Sequence, residues 1–263
     1  MRVLITNDDG IHAPGLTHLA AAAAEAGHDV LAVAPGSNFS GSGAAIGDLG
    51  ESSSIRCRAV DLDGHPAIEA IELDAPPALC VITSALGAFG EVPEVVLSGI
   101  NPGLNTGRST LHSGTVGAVV TAANFRISGV AVSIEGHEPD VENWTTAARA
   151  AVRAGEWVHS TPGLQSLNLS LPDAPEAALG QPRMASLAPM GAIHTEIKGR
   201  DEEWLHLGFA ATDRELPEGS DSRLVAEGCM VVTAITGIRA VPLGDEAGLL
   251  DALGRFGPES PAG

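Results

Sequence analysis

Two adjacent carboxylates, Asp8 and Asp9, follow an apolar run at residues 3–6 and stand directly before Gly10 in the stretch LITNDDGIHAPG. Successive side chains of a strand point to opposite faces, so the pair can serve one site only from a turn, and Gly10 supplies the backbone freedom for it. Like charges this close repel, and one carboxyl tends to hold its proton unless a cation sits beside both. A divalent metal site answers that requirement; a solvated acidic loop or a helix cap is the plainer alternative. More oxygen donors follow in two other loops, the hydroxyl of Ser40 in PGSNFSGSGA (35–44) and the amide of Asn101 in NPGLNTGRSTLHSGTVG (101–117). Such a set suits Mg2+, Mn2+ or Ca2+, and the lack of clustered His and Cys argues against a structural zinc.

The third of these loops also carries an anion signal. Ser113 is placed to cap a helix, and the free N–H groups of Gly114, Thr115 and Val116 that open it favour a phosphate. A hard cation beside an anion pocket suits attack on phosphorus, by an activated water or by a carboxylate, with the transferring group stabilised electrostatically. His12, three residues after Asp9, is a candidate general acid toward the leaving alcohol, and His112 borders the phosphate loop; either is equally suited to a hydrogen-bonding role in its loop. Arg108 is a candidate clamp for a substrate anion, against the commoner fate of a solvated loop cation. His18 is expected at the surface of the first helix.

These loops need a scaffold that brings them to one edge. Short apolar runs at 3–6, 28–34, 92–100 and 129–134 read as buried strands, separated by helices over 14–26, 76–86 and 114–124. The first helix has Pro14 at its start and Gly27 at its end. Continuous apolar strands alternating with helices predict a doubly wound, Rossmann-like α/β fold whose mostly parallel sheet is covered on both faces. Open sheets of this kind place ligands at the carboxyl ends of their strands, where all three loops fall. Beyond residue 140, a helix over 143–159, strands at 167–171 and 230–235 and a closing helix over 244–256 are expected. Residues 173–223 hold only short runs among Pro, Gly and charge. The reading is therefore a core with the metal and phosphate site over 1–140, and over 141–263 the remainder of the core plus a β-rich extension for oligomerisation, with a disordered tail GPESPAG.

Composition bounds the partners. A formal net charge of −19 and no basic stripe with interleaved aromatics argue against nucleic-acid polymers and anionic membranes, while a local site can still hold a small phosphorylated molecule. Tyr is absent, which removes one common means of stacking a base. No stretch reaches the roughly 20 apolar residues of a membrane span, and residues 2–6 are too short for a signal peptide, so the cytoplasm is the expected compartment. Cys57, Cys80 and Cys229 are widely spaced and unpaired in sequence, and are expected to be buried reduced thiols.

At NDDGIHAPG, NFSG after Pro35, SGIN at 98–101 and SGTV at 113–116, the chain resembles the SurE-like (survival protein E) 5′/3′-nucleotidases, also described as acid phosphatases. The resemblance covers roughly the first half. It implies Asp8, Asp9, Ser40 and Asn101 as metal ligands, and Asn105, Ser113, Gly114 and Thr115 as the phosphate cradle. It also implies a Rossmann-like core, a C-terminal β extension used in homodimers or homotetramers, and hydrolysis of phosphomonoesters, chiefly nucleoside monophosphates. Departures fall at neighbouring positions: His112 replaces an aromatic, Arg108 or Ser109 an acid, Thr121 a Glu, and APPALCV (75–81) lacks an Asp. The expected activity is thus a metal-dependent phosphatase of a nucleotide or of another small phosphate ester, with an inactive binding homologue as a third reading. A signalling receiver module would need a phosphoacceptor Asp and a Lys after later strands, which SGIN and VAVSIEG do not offer.

Overall fold

The first strand, β1 (Arg2–Thr6, RVLIT), is buried on both sides. Its Val3 and Ile5 enter one apolar cluster and Leu4 the opposite one, as the pleat requires. Helix α1 (Pro14–Glu25) begins on a proline, whose missing N–H is no loss at a helix start, and buries Leu16, Leu19, Ala20 and Ala23. The chain continues through β2 (Asp29–Pro35), β3 (Cys57–Ala59), β4 (Glu69–Leu73), α2 (Pro77–Ala85), β5 (Val95–Pro102), α3 (Gly114–Asn124), β6 (Ser128–Ile134), α4 (Val141–Ser160) and β7 (Ser166–Leu171). It then adds β8 (Gly180–Met184), β9 (Ile193–Arg200), β10 (Leu205–Ala211), α5 (Asp221–Ala226), β11 (Cys229–Ala234) and α6 (Glu246–Gly254). This computed structural model describes residues 1–50, 54–191, 193–211, 215–238, 240–242 and 244–254.

Nine strands form one sheet in the order β3-β4-β2-β1-β5-β6-β7-β11-β8, and β9 pairs with β10 in a separate antiparallel hairpin. From β4 to β7 every neighbour is parallel, while β3 and β11 pair antiparallel with β4 and β7. Helices α1 and α4 pack together on one face, and α2 and α3 on the other. This is the expected doubly wound, Rossmann-like architecture with added C-terminal β structure. The order reverses at β1: α1 leads to β2 on one side, and α2 leads to β5 on the other. The crevice outside the carboxyl ends of β1 and β5 is therefore the switch point of the sheet, the place where such folds take ligands.

Several boundaries depart from expectation. The strand expected at 92–100 starts only at Val95, because Val92 and Glu94 are exposed lead-in and Glu94 N–H is used by Arg2 O (2.9 Å). Its register against β6 then shifts between Ser98 and Asn101, which carries Asn101 toward the crevice. The closing helix spans Glu246–Gly254, and residues 255–256 and the tail GPESPAG lie outside the described residues. The expectation of three buried thiols holds for Cys80, whose thiol burial pushes up to about 12, but Cys57 is exposed on the edge strand β3 and Cys229 is half-buried; all three are free. Among the described residues no helix is long and apolar enough to cross a membrane.

Candidate active site

The chain leaves β1 at Thr6 and turns at residues 7–10. Buried Asn7 closes this turn from both sides, its Oδ1 accepting from Gly10 N–H (3.1 Å) and its Nδ2 donating to Gly10 O (3.0 Å). Gly10 has φ +113°, a conformation open to glycine and strained for other residues. Asp8 and Asp9 are thereby released from the strand's alternation. The second loop is tied to this turn by Phe39 N–H donating to Asp8 O (2.7 Å) and Ile11 N–H donating to Pro35 O (2.8 Å). Asn38 anchors it further: its Oδ1 accepts from Ser40 N–H (2.8 Å), and its Nδ2 lies 3.5 Å from Asp9 Oδ1.

The third loop closes the ring. Asp8, 3% exposed, accepts from Gly114 N–H (3.1 Å) on one oxygen and from the Thr115 hydroxyl (2.6 Å) on the other. That hydroxyl also lies 3.4 Å from Asn101 Oδ1, and Asn101 Nδ2 donates to Gly103 O (2.6 Å), which turns the amide oxygen inward. Asp8, Thr115 and Asn101 are thus joined through one hydroxyl, with Asp9 and the Asn38–Ser40 loop beside them. Asp9 is half-buried; its Oδ2 is shielded from solvent and has no hydrogen-bond partner among the described residues. Burial first, and the charge of Asp8 second, push its carboxyl up to about 6. An orphaned carboxylate oxygen, a neighbouring carboxylate and an inward amide oxygen form a hard-oxygen set that a divalent cation fits.

The helix end is less open than its sequence suggests. Ser113 caps α3 as expected, its Oγ accepting from Val116 N–H (3.1 Å), and Gly114 N–H is taken by Asp8. Of the three N–H groups expected to face an anion, those of Gly114 and Val116 already have acceptors. The Val116 group is filled by the cap itself, and that of Gly114 by a carboxylate 106 residues away that competes for the helix dipole. Ser113→Ala should lower stability by about 1 kcal/mol through the lost cap, and Ser113→Asp should restore most of it, as read by chemical denaturation.

The other sequence candidates lie outside this hydrogen-bonded group. Asn105 follows β5, its side-chain nitrogen buried and without a partner among the described residues. Ser40 is exposed on the second loop. Exposed Arg108 borders a cavity of about 450 Å3 with Ala44, Leu111, Val116, Leu187 and Ile235. His12 is exposed and near enough to Glu72 to help, after the Arg58 hydrogen bond, to lower that carboxyl's pKa. His112 is exposed and offers its carbonyl to Gly43 N–H (3.1 Å). His18 is not a plain surface residue: half-buried, it stacks on Trp144 at 6.2 Å between ring centroids. Asn38, Asn168 and Asp221, which hold these loops, had no local signature in the sequence beyond the turn chemistry of Asn38.

The sheet order and the crevice at its switch point define a Rossmann-like α/β protein in which a carboxylate pair, an Asn amide and a capped helix come together at the carboxyl ends of the strands. A family model described as Survival protein SurE matches residues 3–192. The 5′-nucleotidase SurE of Rhodopirellula baltica is 34% identical over 248 residues, covering 89% of this chain and 92% of that protein. That of Xanthomonas euvesicatoria pv. vesicatoria is 33% identical over 246 residues, covering 89% of each. The crystal structure of the SurE protein from Aquifex aeolicus superposes with a TM-score of 0.77 at 24% identity, over 95% of this chain and 100% of that one, and so shares the fold. The chain belongs to the SurE family.

Proposed function

We propose that the protein is a divalent-metal-dependent phosphomonoesterase, and that a nucleoside 5′- or 3′-monophosphate is its substrate class. The observation that carries this reading is the linkage of Asp8 through the Thr115 hydroxyl to Asn101, with the unpartnered Asp9 oxygen beside it. The nucleotide is supported by the relatives named 5′-nucleotidase SurE, which are one-third identical over most of the chain. Asp8, Asp9, Asn101 and Ser40 would hold the cation, here Mg2+ or Mn2+. When bound, it supplies Lewis acidity toward the phosphoryl group and charge neutralisation for an arriving anion. Asp8 and Thr115 keep the α3 terminus against the site, and the Asn105 amide nitrogen is one donor left to meet a phosphoryl oxygen. Hydrolysis breaks the P–O bond to the alcohol as water adds to phosphorus; His12 is the proton source nearest in sequence for the departing alkoxide.

A small aryl phosphate and a panel of nucleoside monophosphates, sugar phosphates and polyphosphate test this reading. Phosphate release is expected with Mn2+ or Mg2+, loss on adding chelator, and recovery on restoring excess metal. Equal rates with and without chelator would remove the cation from the reading. A preference for non-nucleotide esters would move the substrate class to another small phosphate ester. We propose further that the protein acts as a cytoplasmic homodimer or homotetramer through its C-terminal β structure.

A further inference from the structure

Residues 105–108 are held from behind by polar side chains that the hydrolytic reading does not use. Asn105 N–H donates to Ser133 Oγ (3.2 Å), which in turn lies 3.2 Å from Ser170 Oγ. The Asn105 carbonyl accepts from Asn168 Nδ2 (2.7 Å). Two residues on, Gly107 N–H donates to Asp221 Oδ2 (2.7 Å), while Asp221 Oδ1 accepts from Ala188 N–H (2.9 Å) and from Ser222 N–H (2.8 Å). Arg108 N–H then donates to Ala188 O (3.0 Å), so one carboxylate clips two segments of the chain together. Asn168 and Asp221 are each 1% exposed. A buried carboxylate is costly unless its acceptors are filled, and here backbone N–H groups fill them only when 107 and 188 are in register.

We infer that Asn168 and Asp221 are positioning residues of the phosphate-ester site, fixing residues 105–108 so that the Asn105 amide nitrogen faces the arriving ester. The inference rests on the hydrolase reading above. Three features converge on it. The gripped atoms of Asn105 are its main-chain N–H and C=O, while its amide nitrogen has no partner among the described residues and is left for a ligand. The grips come from β6, β7 and α5, rigid elements, and preorganisation of a contact residue works best from such a frame. Lastly, Asp8, Asp9 and Ser40 sit on other loops, and Asn101, although on the same loop, is turned by its own hydrogen bond to Gly103 O (2.6 Å), so the support acts on the anion side of the site and not on the cation donors.

The full chain carrying Asp221→Asn, and separately Asn168→Ala, decides the matter. Asp221→Asn keeps the shape but sets an amide NH2 against a backbone N–H; if it does not fold, Asn168→Ala carries the test. Three quantities are compared with the wild type: KM and kcat for an aryl phosphate, competitive inhibition by inorganic phosphate, and Mn2+ affinity by calorimetry. Small misplacements of a contact residue weaken binding steeply, so KM and the phosphate inhibition constant should each rise about tenfold or more while Mn2+ affinity stays within about twofold. Wild-type phosphate inhibition in a folded variant overturns the inference, and so does a parallel fall of phosphate and Mn2+ affinity, which a merely structural role would give. Should the wild type hydrolyse no ester, the hydrolase reading fails, and calorimetric binding of inorganic phosphate to the Mn2+-loaded proteins still decides the positioning role. A wild type that binds no phosphate overturns it as well.

Discussion

Asp9→Asn should lower metal-dependent phosphate release by about a hundred- to a thousandfold, the effect of removing one principal electrostatic contact from an active site. The same variant, without metal, should be harder to unfold than the wild type at pH 7.5. The two expectations share one cause. Burial and the neighbouring Asp8 raise the Asp9 carboxyl from 3.8 to about 6. A carboxyl whose folded pKa lies above its unfolded one binds its proton more tightly in the native state. Its contribution to stability is therefore most favourable below 3.8, declines as pH rises from 3.8 to about 6, and stays unfavourable above. That interval would correspond to roughly 3 kcal/mol in full, and about 1–2 kcal/mol once the solvent exposure of this half-buried group is discounted.

Asparagine carries no charge, keeps an oxygen for Asn38 and escapes the penalty. Urea denaturation in chelator at pH 7.5 should place Asp9→Asn above the wild type by about 1–2 kcal/mol, and the gap should close at pH 4. Saturating Mn2+ should reverse the order, since a ligand at about a hundred times its Kd stabilises the native state by ~2.7 kcal/mol and only the wild type binds it well. A variant less stable than the wild type at pH 7.5, with undiminished turnover, would place Asp9 outside any cation site.

What the sequence could and could not show follows from the range of the interactions. The DDG turn was legible because its logic is local: two carboxylates cannot share a face of a strand, and Gly10 permits the turn. α3 begins and ends where the residues predict, since Ser113 is a cap within one turn of the helix. Strand β4 was missed because EAIEL interleaves carboxylates with apolar residues, and half of a surface helix would look the same. β3 and β8 were missed because every one of their residues is exposed. The filled Gly114 N–H at the head of α3 shows the same limit in the site itself, for the competing carboxylate lies 106 residues away. Asp221 lies 114 residues from the N–H it holds, and Asn168 lies 63 from its carbonyl, so no window of sequence contains both partners.

Gly114→Ala should leave the fold nearly intact and cost most of the activity. A methyl group at this position would lie 2.8 Å from Asp8 Cβ, from Asp8 Oδ2 and from Ser42 Oγ, closer than real side chains pack. Asp8 cannot simply yield, because the Thr115 hydroxyl holds its other oxygen at 2.6 Å and Phe39 N–H holds its carbonyl at 2.7 Å. Alanine is the better helix former by about 1 kcal/mol, which offsets part of the ~1–3 kcal/mol that overpacking costs, so net stability should fall by about 2 kcal/mol at most. Activity has no such compensation. Displacing one carboxylate of the pair by even a few tenths of an ångström parts it from Thr115 and Asn101, and turnover should drop by about a hundredfold. Adding Ser42→Ala removes one of the three contacts and leaves both to Asp8, so the double variant should recover little. Near-complete recovery would show that Ser42, and not Asp8, is the group displaced, and a Gly114→Ala protein as active as the wild type would take Asp8 out of the reacting centre altogether.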